Sequence, residues 1–222
     1  MSVVRPEFGP TLPELLGPRI RALPGSARLA LALLAALVVV VLGYIGLRGT
    51  EDNRPQAVVT EPIAYNLIYP APLARVRPHT GETLRLQTPP GTKAPQSFAV
   101  KPFRLPAYHG DSTGILTLMS ANMITRMRAQ YPGFVWRGDG RVNYNRQPGY
   151  EIQFQAKIGG RTTYGRRTLL VPAAEAAPRE GVDIMILAAR SPAVPRVDAV
   201  GSAATGALKT AIRSFSFGTA RP

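Results

Sequence analysis

The chain contains no cysteine, only two histidines and one tryptophan in 222 residues. Without cysteine it cannot form disulfides, thiolate nucleophiles, iron–sulfur clusters or cysteine-ligated zinc sites. His79 and His109 show no paired spacing, and a zinc site needs several nitrogen or sulfur ligands. These absences exclude most metal and thiol chemistry, so no cofactor is expected.

Acidic residues are also scarce. The sequence has 13 Asp and Glu against 27 Lys and Arg, which gives a net charge of +14. Such an excess favours anionic partners such as phospholipid headgroups, cell-wall polymers, acidic proteins or nucleic acid. A solvated basic surface without a specific ligand explains the charge equally well. The few lysines and many Ala, Gly and Pro residues are typical of a GC-rich bacterial genome.

The sequence has one long uncharged run, residues 29–47, which reads LALALLAALVVVVLGYIGL. As a helix it would be about 28 Å long, close to the hydrocarbon thickness of a bilayer. A cleaved signal peptide usually has an apolar region of about 7–15 residues and a small-x-small site, which the following GYIGLRGTEDNRP lacks. A buried core helix is usually shorter. The run therefore predicts an uncleaved transmembrane helix.

The basic residues beside this run predict its orientation. Arg19, Arg21 and Arg28 precede it, whereas Arg48 and Arg54 follow it. Basic residues favour the cytoplasmic side, so we expect a cytoplasmic N-terminus in a bacterial plasma membrane. The predicted organisation is a Pro-rich tail (1–28), the transmembrane helix (29–47), a linker (48–61) and an extracytoplasmic domain (62–218).

The domain alternates between strand and helix patterns. Its predicted strands are 83–87, 98–105, 134–137, 141–144, 150–158, 161–171 and 182–190. Its predicted helices begin at Asp111-Ser112 and at Asp198, and they end before Pro132 and at Ser214. Turns are expected at Gly138–Gly140 and at Gly159-Gly160. The pattern predicts an α+β fold in which two helices pack on an antiparallel sheet.

Three stretches of this domain carry a resemblance to a known family. They are PGYEIQFQAKIGGRTTYGRRTLLV, VDIMILAAR and the terminal AIRSFSF. Together they resemble the Mog1/PsbP-like family of α/β/α sandwiches over roughly residues 62–218. The resemblance implies a binding or accessory module rather than an enzyme. It transfers no functional residue, because no functional motif matches, and the membrane anchor departs from the soluble members.

Two stretches only superficially suggest catalytic or phosphate-binding chemistry. His109, Asp111 and Ser112 include the three groups of a hydrolytic triad, but neighbouring residues rarely achieve triad geometry. Capping of the following helix explains Asp111 and Ser112. The stretch GSAATGALKT at 201–210 approaches a phosphate-binding loop, but the required lysine does not directly follow the second glycine. We therefore predict no catalytic residue and no metal site.

The hairpin around Gly159-Gly160 predicts a polar face. Residues on one face of a strand recur every two positions, so eight polar side chains should share a face opposite Ile152 and Phe154. Ordinary solvent exposure explains this face, and a partner-binding surface is the other interpretation. The expected pairs are Lys157 with Thr162, Gln155 with Tyr164, Gln153 with Arg166, and Glu151 with Thr168. The candidate partner-binding residues are Gln153, Gln155, Lys157, Tyr164 and Arg166.

Three functions compete at this point. The first is a single-pass, outward-facing accessory or binding module that has no catalytic site and holds an envelope protein or an anionic polymer. The second is a hydrolase-like envelope enzyme whose site is assembled from residues distant in the sequence. The third is a cytoplasm-facing basic domain that binds nucleic acid, although no nucleic-acid motif is present. The sequence favours the first and does not specify any small-molecule ligand.

Overall fold

The computed structural model describes residues 54–173, 178–192, 194–196 and 206–220, together with the single positions 24, 26 and 34. Residues from Arg54 onward form one compact unit. The predicted transmembrane segment, 29–47, lies outside the described residues except for the helical Leu34. Within the part of the chain that is described, no helix has both the length and the apolarity needed to span a bilayer.

A seven-stranded antiparallel sheet forms the centre of the domain. Its strands, in chain order, are Ala74–Val76 (β3), Leu84–Gln87 (β4), Gln96–Arg104 (β5), Val135–Tyr144 (β6), Gln147–Ile158 (β7), Arg161–Leu170 (β8) and Glu180–Ala189 (β9). They lie in the sheet in the order β3-β4-β5-β9-β8-β7-β6. The predicted strands β4, β5, β7, β8 and β9 are confirmed to within three residues at each end.

A second sheet, of three strands, pairs the first strands of the domain with its last strand. It contains Gln56–Val59 (β1), Tyr65–Ile68 (β2) and Ser216–Phe217 (β10), in the order β1-β2-β10. Strand β1 lies within the segment that we predicted to be a linker, so the fold begins before residue 62. The reason is that Ala57 and Val59 are both buried, and they alternate with exposed positions as a half-buried strand requires.

Strand β6 corrects the predicted turn at Gly138–Gly140. The backbone stays extended there, with a bulge between Trp136 and Gly138, and it pairs with β7 along its length. The turn instead lies at Asn145 and Arg146, whose φ angles are 49° and 63°. Asparagine tolerates this left-handed region. The Asn145 Nδ2 atom also donates a hydrogen bond to the Phe215 carbonyl at 3.2 Å, which fixes the turn against the C-terminal segment.

The two helices lie on opposite faces of the large sheet. Helix α1, Ser112–Gln130, packs against β6 and β7 over Ile152 and Phe154, and we call this side the α1 face. Helix α2, Gly206–Arg213, and the three-stranded sheet cover the other side, the α2 face. Of the second predicted helix, 198–214, the residues before 206 lie outside the described ranges. The predicted α+β class with two packing helices is therefore confirmed.

The start of α1 confirms the capping interpretation of the HGDS stretch. The Asp111 Oδ1 atom accepts a hydrogen bond from the Thr113 amide at 3.0 Å. The hydrogen bonds from Thr113 lower the pKa of Asp111, as expected for a carboxylate at the positive end of a helix. Asp111 therefore has a structural role at the beginning of α1.

Candidate functional site

The β7–β8 hairpin has the predicted register. Gly159 and Gly160 form the turn with φ angles of 55° and 77°, a region that favours glycine. All four predicted cross-strand pairs occur: Lys157 with Thr162, Gln155 with Tyr164, Gln153 with Arg166, and Glu151 with Thr168. The prediction that these eight side chains share one face is thus confirmed.

The prediction that this face is open to solvent is wrong at its centre. Tyr164 is only 6% exposed and belongs to the core beneath α2. Its hydroxyl donates a hydrogen bond to the Pro195 carbonyl at 2.7 Å. The α2 face is therefore covered over β8, and the aromatic ring that we expected to meet a partner packs inside the domain.

Glu151 is the centre of a buried polar network on the same face. It is 3% exposed, and its carboxylate accepts hydrogen bonds from four side chains. Arg166 Nη1 donates at 3.0 Å, Tyr144 Oη at 2.7 Å, Gln153 Nε2 at 3.1 Å and Thr168 Oγ1 at 3.2 Å. A buried carboxylate needs such donors to remain charged. The network therefore explains why polar residues occupy an interior position.

Tyr144 contributes to this network as a neutral donor. Burial raises the pKa of the Tyr144 phenol, and the negative charge of Glu151 and the hydrogen bond to it raise the pKa further. The phenol therefore keeps its proton and donates to the carboxylate.

The five predicted partner-binding residues thus differ in accessibility. Lys157 is exposed, whereas Gln153, Gln155 and Arg166 are partly buried. Gln155 also accepts a hydrogen bond from Arg137 Nη2 at 2.8 Å. Partner binding by these residues remains a prediction, and the accessible part of the face is the end near Lys157.

Sequence reasoning missed a groove on the α1 face. Helix α1 packs on β6 and β7, and residues of six strands, β3, β4, β5, β7, β8 and β9, line an open cavity of about 1490 Å³ beside it. The lining includes the apolar side chains of Val76, Ile158, Leu187 and Ala189 and a proline-rich loop between β4 and β5. A concave apolar surface with a few polar groups is the usual form of a ligand site.

Three cations lie in the lining of this groove: Lys93, Arg161 and Arg190. All three are exposed, and the described lining contains no acidic residue and no histidine. The groove therefore combines apolar surface with positive charge. The sequence could not reveal it, because its walls come from six strands. Along the chain, 67 residues (94 to 160) separate Lys93 from Arg161, and 28 residues (162 to 189) separate Arg161 from Arg190.

Comparison with known proteins supports the fold. No protein-family profile matches the sequence, and no curated protein matches it. The crystal structure of LpqN, a protein involved in cell envelope biogenesis of Mycobacterium tuberculosis, matches with a TM-score of 0.50. In fold, the chain resembles LpqN. The match covers 76% of this chain and 94% of LpqN, at 10% sequence identity.

The cyanobacterial PsbP of Synechocystis gives a second match, with a TM-score of 0.46 and 13% identity over 76% of this chain and 95% of that one. The predicted weak resemblance to the Mog1/PsbP-like family is confirmed as a resemblance in fold. At 10% identity the likeness to LpqN transfers no functional residue to this chain.

The described residues contain no group of three or more His, Cys, Asp or Glu side chains placed to hold a metal ion. The methionines of α1 fill the core instead: Met123 and Met127 are buried against the α1 face. The part of the 201–210 stretch that is described, from Gly206 onward, is helical in α2.

Proposed function

We propose that this protein is a single-pass, outward-facing binding module of the bacterial cell envelope that acts without catalysis of its own. The observation that carries the proposal is the groove on the α1 face, which offers apolar surface and three cations. General acid–base and nucleophilic catalysis usually depend on paired groups that titrate near neutral pH. The groove cations Lys93, Arg161 and Arg190 instead suit the binding of an anionic partner.

The charge of the groove narrows the class of ligand. Arginine presents a planar fork of donors that matches carboxylate and phosphate groups, and lysine presents a compact point charge. Phospholipid headgroups, an anionic envelope polymer and an acidic segment of an envelope protein each have the required charge. LpqN, which has a similar fold, is described as taking part in cell envelope biogenesis, and this supports a location in the envelope.

The anchor rests on the uncharged segment 29–47 and on the basic residues that flank it. A reporter that is active only outside the cytoplasm, fused after Pro222, should be active, because we expect the C-terminal domain to be translocated. The protein should also stay in the membrane fraction after an alkaline carbonate wash and keep its N-terminal residues. Activity of only a cytoplasmic reporter would refute the topology, and release by the wash would refute the anchor.

Binding through the groove is tested with two matched triple variants. The groove variant is Lys93→Gln, Arg161→Gln and Arg190→Gln, and it removes three exposed cations. In envelope extract, the full-length groove variant should bind at least about tenfold less partner than the full-length wild type. The reason is that hot-spot and charge contacts each contribute about 1 kcal/mol or more.

The control removes the same charge elsewhere: Lys101→Gln, Arg141→Gln and Arg146→Gln, three exposed cations that do not line the groove. This variant should bind the partner at wild-type strength. Equal loss in both variants would show that binding depends only on net charge, and no loss in either would remove the groove from the proposal.

A further inference from the structure

One end of the large sheet carries described cations but no described carboxylate. Six segments meet at this end, where β7 turns into β8, and we call it the basic end. Six segments contain no Asp or Glu: 54–56, 69–74, 87–97, 126–137, 155–163, and 187–196 without residue 193. The same segments carry nine exposed cations: Arg54, Lys93, Arg126, Arg128, Arg137, Lys157, Arg161, Arg190 and Arg196.

The acidic residues of the described chain lie elsewhere. Glu82 precedes β4, Glu180 begins β9 and Asp111 caps α1, all at the opposite end of the sheet. Glu151 and Asp183 are buried in ion pairs. Among the described residues, the segments of the basic end contain no carboxylate, and Asp139, two residues beyond Arg137, is the first one along β6. The nine cations therefore give this end a net positive charge, which attracts an anionic surface.

The polypeptide enters the domain at this same end. The Pro55 carbonyl accepts a hydrogen bond from the Tyr69 amide at 3.0 Å, and Ala74, five residues after Tyr69, lines the groove. A fully extended chain of five residues spans at most about 18 Å. One backbone hydrogen bond and this five-residue segment therefore connect the entry point of the chain to the groove lining.

The connection to the predicted anchor is short. Six residues, 48–53, separate the end of the predicted span from Arg54. Six residues reach at most about 22 Å when fully extended. If the segment 29–47 crosses the membrane, as the proposed function requires, the connection keeps the entry point of the domain near the headgroups.

The basic end also carries exposed apolar side chains. Trp136, the single tryptophan of the chain, is 49% exposed, and its neighbour Val135 is 40% exposed. Both belong to the first residues of β6, next to the segment whose Pro132 carbonyl accepts a hydrogen bond from the Lys157 amide at 2.8 Å. Tryptophan is enriched at the membrane–water interface, because its ring is apolar and its N–H is polar.

We propose that the basic end, including the groove, docks on the anionic phospholipid headgroups of the membrane that anchors the chain. This inference rests on the proposed function and names the ligand of the same groove. Basic residues near an anionic bilayer each add a favourable electrostatic contribution, which salt weakens. Apolar groove walls and Trp136 suit the interfacial layer, where headgroups and the upper parts of acyl chains meet.

The experiment uses the full-length protein in lipid nanodiscs and follows the fluorescence of Trp136, the chain's single tryptophan. In discs with about one third anionic phospholipid, emission should shift to shorter wavelength and acrylamide quenching should fall at least twofold, relative to purely zwitterionic discs. About 0.5 M salt should reverse the change, because the Debye length falls below about 5 Å. Identical emission in the two kinds of disc would overturn the inference.

The same matched variants sharpen the test. The groove variant, with Lys93, Arg161 and Arg190 each replaced by Gln, should lose the spectral shift, and the control variant should keep it. A control that loses as much as the groove variant would overturn the inference, because net charge alone would then be responsible. A shift produced in zwitterionic discs by soluble polyglutamate, but not by anionic lipid, would also overturn it and point to an acidic protein partner.

The retention of the chain in the discs separates this inference from the proposed function. A chain that stays in the discs but shows no lipid-dependent change leaves the anchored binding module in place and refutes the lipid docking. A chain that leaves the bilayer refutes the anchor. In that case, sedimentation with anionic vesicles and the Trp136 emission still decide the lipid inference, and no binding to them overturns it.

Discussion

Replacing Asp183 by Ala is expected to lower the free energy of unfolding of the domain by about 3–5 kcal/mol. Asp183 and Arg167 form an ion pair on the α1 face, with side chains that are 7% and 21% exposed. Arg167 Nε donates to Asp183 Oδ1 at 3.0 Å. Removing one partner leaves the other charge buried without compensation, and this is the costly case.

Arg167 remains a cation in this setting. Burial acts to lower the pKa of its guanidinium, but the hydrogen bonds and the negative charge of Asp183 outweigh burial and raise the pKa above its ordinary value. In the variant this compensation is gone, but an arginine side chain is not deprotonated in proteins, so the guanidinium stays buried and charged. Urea unfolding of the domain, residues 54–222, followed by circular dichroism, gives the change in the free energy of unfolding.

The same strand offers a matched control. Glu180, at the start of β9, pairs with Arg104, but these side chains are 43% and 87% exposed. Glu180→Ala should cost less than about 1 kcal/mol, because water screens the exposed pair. The double replacement Arg167→Met with Asp183→Leu should recover most of the lost stability, since it removes both charges. Equal costs for Asp183→Ala and Glu180→Ala would contradict the burial of the first pair.

Phe154→Ala is expected to cost about 3–5 kcal/mol of the free energy of unfolding. The Phe154 ring is fully buried and stacks with Tyr131 and Phe134, at centroid distances of 6.0 and 5.6 Å. It lies over Gly165, its cross-strand partner, where an added Cβ would be 2.2 Å from the ring. The ring therefore occupies the space that a side chain at residue 165 would need.

This packing predicts that the two positions are coupled. Gly165→Ala alone should cost about 1–3 kcal/mol, because the ring has no free space into which it can move. In the Phe154→Ala background the same change should cost almost nothing, since the added methyl group then fills part of the cavity. A double-mutant cycle from urea unfolding measures the coupling. Costs that simply add would show that the ring does not lie over Gly165.

The local elements of this domain could be predicted because each depends on neighbours in the sequence. Alternating side chains and the Gly159-Gly160 pair determine the hairpin register, and Asp111 marks the start of α1 through its capping geometry. The resemblance in fold was predicted from these local elements and their order along this chain.

The exposure of the polar face could not be predicted, because it depends on pairing between strands and on an element late in the chain. Glu151 and Arg166 can lie inside the domain only because each meets the other and because Tyr144 comes from a third strand. Tyr164 is covered through Pro195, which is 31 residues away. Polarity in the sequence indicates solvent only when no such partner exists.

The three-stranded sheet and the groove were missed for the same reason. Strand β2 forms backbone hydrogen bonds with β1 on one side and with β10 on the other. Strand β10 has only two residues and lies near the C-terminal end of the domain. The groove combines residues from six strands. In both features, parts that are distant along the chain come together only through the folded topology.

Strand β6 has a consequence for how the protein behaves at high concentration. It is the last strand of the sheet and runs for ten residues, so one side of its backbone can act as a template for another chain. The bulge after Trp136 interrupts that template, and the exposed charges of Arg137, Asp139 and Arg141 oppose stacking of like strands. A variant that lacks the bulge and these charges should therefore form fibrous or amorphous aggregates while its fold is still intact.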